Sequence, residues 1–78
     1  MKFLLECVIL EITEKHFRNK EGAEQSYYVA QAYQPGIGVG EISIAKDIVI
    51  HGNPKLGKGG LYAVELRNGK PRITEIVK

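Results

Sequence analysis

The hydrophobic positions of the chain fall into short segments, and the first of these changes its pattern partway. In Phe3–Thr13 the odd positions are apolar as far as Ile9, after which the even positions Leu10 and Ile12 take over. A strand whose buried face changes in this way contains a bulge or is strongly coiled, as strands in barrels are. A helix would also place several of these side chains on one face. The β-branched residues and the absence of an N-cap residue favour the strand.

Four further segments predict strands, at Gln25–Gln34, Glu41–Ile50, Leu61–Arg67 and Arg72–Val77. The first of them alternates cleanly, with Tyr28, Ala30 and Ala32 on a face that we expect to be buried. The stretch His51–Gly60 contains too much glycine for a helix. Asn68–Gly69 is typical of a two-residue hairpin turn.

Five strands, no helix and short connections predict an all-β fold, a small five-stranded antiparallel barrel. We interpret residues 1–78 as a single OB-like domain, although an SH3-like strand order fits the same segments. A core of this size is thin, so a homodimer would add stability.

Composition narrows the function classes. The 78 residues carry a net charge of only +2, which excludes a polybasic coat and leaves room for a local basic patch. The single cysteine, Cys7, lies among apolar residues and predicts a reducing, cytoplasmic setting. The longest apolar run, Cys7–Leu10, is too short for a membrane span or a secretory signal. We therefore expect no membrane partner.

The motifs with catalytic meaning are incomplete. Gly52–Gly59 nearly matches a phosphate-binding loop, but a glycine replaces the magnesium-binding hydroxyl residue, and the flanking strand and helix are not predicted. His16 and His51 have no partners at metal-ligand spacing, and Cys7 lacks the setting of a nucleophile. We expect a protein that is not an enzyme and has no metal, cofactor or small-molecule substrate.

Basic and aromatic residues alternate in the first half of the chain. A predicted loop carries Lys15, Phe17, Arg18 and Lys20. The strand after this loop carries Tyr27 and Tyr33 on the same face as Gln31, which we expect to be the more solvent-exposed face. Single-stranded nucleic acid needs cations for its phosphates and flat rings for its bases, and each base–aromatic stack contributes about 1–3 kcal/mol. The pattern is typical of a single-strand-binding surface.

Two stretches, Tyr27–Tyr33 and Gly60–Leu66, resemble the single-stranded DNA-binding, helix-destabilising proteins of filamentous phages. The resemblance implies an OB-type fold, a dimer formed through β-structure, and a protein that coats single-stranded DNA in replication. It implies that Tyr27 and Val29 contact DNA. Ser26 stands where the family has a proline, and the late hairpin is reduced to a short turn.

We therefore expect a dimeric, cytoplasmic protein that binds single-stranded DNA or RNA. The residues expected to bind the strand are Lys15, Phe17, Arg18, Lys20, Tyr27, Val29, Tyr33 and Lys46. The alternative is a small protein-interaction module that binds a peptide or a partner subunit through the tyrosine face. Salt dependence of binding separates the two hypotheses, because it is steep only where phosphates are neutralised.

Overall fold

Five strands and one short helix make up residues 2–78, the part of the chain that this computed structural model describes. The elements are β1 (Lys2–Arg18), β2 (Glu24–Gln34), β3 (Gly38–Ile44), α1 (Lys46–His51), β4 (Gly59–Arg67) and β5 (Lys70–Ile76). No helix in these residues has the length and apolar composition needed to cross a membrane.

The strands close into a barrel in the order β1-β2-β3-β5-β4, with β4 returning to β1. This confirms the prediction of a small all-β, OB-like barrel. Four of the ladders are antiparallel, as predicted, but β3 and β5 run parallel. Their ladder, here called the β3–β5 seam, consists of the pairs Ser43–Arg72 and Ile44–Ile73. The fully antiparallel arrangement was wrong at this seam, because strand direction cannot alternate all the way around a closed ring of five strands, so one pair must be parallel.

A β-bulge in β1 explains the change of pattern read from the sequence. The register of β1 against β2 shifts between Ile9 and Glu11. Before the shift, Cys7 and Ile9 are buried, and after it Ile12 packs against the core. Leu10, at the bulge, is 46% exposed. The bulge prediction is confirmed, and it allows one long strand to pair with β4 in its first half and with β2 in its second.

The predicted strand over residues 41–50 was wrong in its second half, and so was the expected absence of helix. Ala45 N–H donates to the Ile73 carbonyl at 2.8 Å, and there the pairing of this segment with β5 ends. A backbone without a strand partner satisfies its polar groups internally, so α1 follows. Ile48 is buried on the inner side of α1. At the end of the helix, Gly52 N–H donates to the Ile48 carbonyl at 2.9 Å. The isoleucine spacing fits helix and strand equally.

The core draws side chains from every strand and from α1. Its most deeply buried large members are Ile9, Ile44, Val64 and Ile73. The predicted inner face of β2 is confirmed, because Ala30 and Ala32 are buried and Tyr28 packs against the same cluster. The outer side chains of β1, β2 and β3 consequently form one continuous surface.

Candidate nucleic-acid interface

The end of β1 and the start of β2 form a two-stranded arm. Pairing between these strands continues to Arg18 and Glu24, whereas β3 begins to pair with β2 only at Tyr28. The residues from Lys15 to Arg18 therefore lie on a strand, and their predicted placement in a loop was wrong. The turn is short because the Asn19 Oδ1 accepts two backbone N–H groups at 3.0 Å each. The arm holds its side chains at fixed strand positions.

Two aromatic rings lie on the outer face of this arm. Phe17 and Tyr27 are each 44% exposed, and their ring centroids are 5.7 Å apart with an edge-to-face angle of 62°. Lys15 is the register partner of Tyr27 and shares the outer face with both rings. The edge contact restrains the orientation of the Tyr27 ring while leaving much of its surface accessible.

A hollow of about 360 Å³ adjoins the Tyr27 ring where β2, β3, α1 and β5 meet. Tyr27, Tyr28, Lys46 and Arg72 line it, and no Asp or Glu side chain does. Just outside the lining, the Glu14 carboxylate acts on the Tyr28 hydroxyl, chiefly by hydrogen bonding, and raises its pKa. Two cations and an exposed ring therefore converge on one concave surface.

Arg72 was missed by the sequence reasoning. It lies far from the arm in the chain and reaches this hollow only through the β3–β5 seam, where it pairs with Ser43. Parallel pairing between distant segments leaves no local signal, so the sequence gives no means of finding Arg72. Lys46, in contrast, was predicted and lies at the start of α1.

The middle of the outer surface is acidic. Glu41 on β3 receives the Lys15 ammonium at 3.3 Å and a hydrogen bond from the Gln31 amide at 3.1 Å. Glu11 is the register partner of Gln31 on its other side. The Glu41 carboxylate therefore compensates the positive charge of Lys15. Glu41 was not among the predicted site residues.

Of the predicted residues, Tyr27 and Lys46 line the hollow, Lys15 and Phe17 lie beside Tyr27 on the outer face of the arm, and the other four lie apart from this group. Tyr33 is on the same outer face, but six residues beyond Tyr27, about 20 Å along an extended strand. Val29 lies between them and is only 4% exposed, so it supports the surface and offers little area for contact. Arg18 alternates to the opposite face of the arm from Phe17.

The fourth of these residues, Lys20, lies in the turn at the tip of the arm, next to Glu21. The inner face of the arm places His16 beside two carboxylates. His16 lies 3.3 Å from the Glu14 carboxylate and 3.6 Å from that of Glu24. The charges around the tip are therefore mixed, and the basic turn expected from the sequence does not form a purely positive surface.

We call the group brought together by the structure the arm site: Lys15, Phe17, Tyr27, Lys46 and Arg72. Among residues 2–78, no cluster of three or more His, Cys, Asp or Glu side chains is arranged to hold a metal ion. The chain matches no family model, no curated protein and no solved structure. The functional argument therefore depends on the geometry of the arm site.

Proposed function

We propose that the protein binds single-stranded nucleic acid at the arm site. The observation that carries the proposal is the hollow in which the exposed Tyr27 ring adjoins Lys46 and Arg72. A base stacks on the ring while the two cations meet phosphates of the same strand. Phe17 restrains the orientation of the Tyr27 ring and offers a second, smaller aromatic surface. No catalytic step is part of this function.

The acidic centre of the outer surface sets the path of the strand. Glu11 and Glu41 repel phosphates, so a strand that follows β2 from Tyr27 towards Tyr33 would cross two negative charges. A strand that crosses the arm end instead passes Tyr27, Lys46 and Arg72. The proposed site is therefore short and excludes Tyr33.

Fluorescence anisotropy of labelled oligo(dT), compared with duplex DNA of equal length, tests this proposal. Two or three neutralised phosphates predict a slope of log affinity against log salt between about −1.4 and −2.1 for the single strand. Titrations at about 50 and 200 mM salt measure this slope. Absence of binding to the single strand at the lower salt, or equal binding to the duplex, would overturn the proposal. Matching oligo(U) then decides between DNA and RNA.

A different part of the surface supports a second candidate function, a protein-interaction module. At the other end of the outer surface, Tyr33, Ile37 and Val39 are 39%, 79% and 59% exposed. Beside them, residues 38–42 of β3 have no β5 partner, which leaves an unpaired strand edge. A peptide strand or a second copy of the chain fits such an edge. Binding there would depend only weakly on salt.

We also propose a cytoplasmic homodimer built on this apolar end. The buried free thiol of Cys7 supports a reducing compartment. The exposed apolar side chains at the unpaired edge support self-association. Sedimentation over a wide range of concentrations tests the dimer, and a constant monomer mass would refute it. On the resemblance to the filamentous-phage proteins, we also propose that the protein acts in phage DNA replication.

A further inference from the structure

A second basic hollow lies at the glycine-rich segment between α1 and β4. It has a volume of about 310 Å³, and three lysines, Lys55, Lys58 and Lys78, are among the residues that line it. No Asp or Glu side chain lines it. Its lining shares no residue with the hollow of the arm site. Positively charged residues around a hollow without acidic side chains favour an anion as its ligand.

The floor of this hollow contains a polar group without a partner. Tyr62 lines the hollow and is only 2% exposed. None of the side-chain hydrogen bonds within residues 2–78 involves its hydroxyl. The oxygen is not sealed from solvent either, because these residues contain no buried side-chain oxygen without a partner. A buried tyrosine usually has a partner for its hydroxyl, so this donor is available to a ligand in the hollow.

Gly60 leaves the space above that hydroxyl. A Cβ atom at Gly60 would lie 2.8 Å from the Tyr62 oxygen and 3.0 Å from two of its ring carbons. The glycine therefore allows the ring to reach the hollow. A tyrosine hydroxyl is protonated at neutral pH and can donate, and burial raises the pKa of the Tyr62 hydroxyl further.

The segment that carries two of the lysines is held in place at both ends. Gly52 N–H donates to the Ile48 carbonyl at the end of α1, at 2.9 Å. Gly57 N–H donates to the Ile9 carbonyl beside the bulge of β1, at 2.8 Å, and adopts φ +79°. The anchors lie on either side of Lys55, and the second directly precedes Lys58, which reduces the entropy cost of ligand binding.

We infer that this hollow is a binding site for a compact polyphosphate anion, the group that nucleoside di- and triphosphates carry. Three lysines match several negative charges within one small group, whereas a nucleic-acid backbone presents only one charge per nucleotide. The incomplete phosphate-loop motif of residues 52–59 thus contributes to binding. Since no hydroxyl residue for magnesium stands there, hydrolysis is not part of the inference. The site goes beyond the proposed single-strand binding and does not depend on it.

Calorimetric titration of the full chain with sodium tripolyphosphate tests the inference, with sulfate at equal ionic strength as the control ion. The double substitution Lys55→Ala and Lys58→Ala should weaken binding about tenfold or more. The matched control, Lys2→Ala with Lys70→Ala, changes the net charge equally and should stay within about twofold of the native chain. Absence of tripolyphosphate binding by the native chain, or equal losses in both double variants, would overturn the inference.

Two further measurements locate the anion. Tyr62→Phe should weaken tripolyphosphate binding by about fivefold, because it removes a donor to a charged acceptor and keeps the ring. An unchanged affinity would remove the hydroxyl from the site. Amide chemical shifts of Gly57, Gly59 and Gly60 should move on titration, and shifts confined to other regions would place the anion elsewhere.

Oligo(dT) distinguishes this site from the arm site. The Lys55→Ala, Lys58→Ala chain should retain native oligo(dT) affinity, and a Tyr27→Ala chain should retain native tripolyphosphate affinity. If the double variant instead loses oligo(dT) affinity while the native chain binds no tripolyphosphate, the ligand is the nucleic-acid backbone and the polyphosphate assignment is wrong.

Discussion

The Phe17 and Tyr27 rings meet edge to face across two strands, with their centroids 5.7 Å apart. The contact joins the end of β1 to the start of β2, where neither strand has another neighbour in the sheet. The ring that we propose for base stacking is therefore supported by its own hairpin.

Replacing Tyr27 with alanine should lower the affinity for oligo(dT) about 5- to 150-fold, the range that loss of one base stack predicts. The fold should persist, because the Tyr27 side chain is 44% exposed. Anisotropy of a labelled oligonucleotide measures the affinity, and circular dichroism checks the fold. Tyr27→Phe, which keeps the ring, is the control and should bind like the native chain. Unchanged affinity in Tyr27→Ala would place the strand elsewhere.

Glu41→Gln should strengthen single-strand binding by about two- to fivefold. The substitution removes a negative charge from the outer surface and frees Lys15, whose ammonium lies 3.3 Å from the Glu41 carboxylate. Glu75→Gln, an equal change of charge at an exposed position on β5, is the control and should have a smaller effect. A loss of affinity in Glu41→Gln would contradict the proposed path of the strand. A basic peptide ligand would produce such a loss, because it would be attracted by the Glu41 carboxylate.

Ile73→Val should lower the free energy of unfolding by about 0.5–1.5 kcal/mol, the usual cost of removing one methylene from a core. Ile73 is fully buried and belongs to the β3–β5 seam. Urea denaturation measures the change. Ile37→Val makes the same chemical change at a side chain that is 79% exposed, and it should leave stability unchanged. Equal effects of the two substitutions would contradict the described core.

Gly60→Ala should destabilise the fold by about 1–3 kcal/mol, because overpacking forces a buried neighbour to move. The new Cβ would lie 2.8 Å from the Tyr62 hydroxyl. At Gly40 a Cβ would meet nothing within 4 Å, so Gly40→Ala is the matched control and should be neutral or stabilising. Combining Gly60→Ala with Tyr62→Phe should restore part of the loss. Additive losses in that combination would refute the contact.

Stability should fall as the pH rises into the alkaline range. Burial raises the pKa of the Tyr62 hydroxyl above its ordinary 10.0 and that of the Cys7 thiol above 9.0. The unfolded chain releases these protons at lower pH than the native state does. The stability they contribute is therefore complete below the unfolded pKa values and is lost as the pH rises through them. Urea denaturation from about pH 8 to 11 measures the decline.

Tyr62→Phe removes one of the two titrating groups and should flatten that alkaline decline. Tyr33→Phe removes a hydroxyl at a 39% exposed position and serves as the control. The slope should stay native in Tyr33→Phe. If both substitutions flatten the curve equally, the effect belongs to the total tyrosine content and the burial of Tyr62 is not its cause.

Features that depend on neighbouring residues could be predicted from the sequence. The change of apolar face near Ile9 indicated the bulge, and the alternation around Ala30 indicated the inner face of β2. The prediction of a loop at Lys15–Arg18 was wrong, because the charged and aromatic residues of this half of the arm do not alternate in hydrophobicity. Its strand pairing depends on the turn closed by Asn19.

Features that depend on distant pairing could not be predicted. Arg72 reaches the arm site through a parallel ladder, and Glu41 reaches Lys15 across the intervening strand β2. Neither arrangement has a periodic signal along the chain. The helix α1 was missed for a different reason, because Ile44 and Ile48 lie on one side in either type of element. There the end of pairing with β5 decides the structure.

The β3–β5 seam also determines the order in which the chain can fold. Of the other ladders, three join consecutive strands and the β1–β4 ladder has seven residue pairs, whereas the seam joins Ser43 to Arg72 across α1 and β4 through only two. A contact between such distant residues closes a large loop of chain and gains only two residue pairs, so it is entropically unfavourable until the hairpins exist. We expect barrel closure at the seam to be the last step of folding and the first to reverse. Amide hydrogen exchange at Ala45, whose N–H crosses the seam, would then report openings that leave the β1–β2, β2–β3 and β4–β5 hairpins intact.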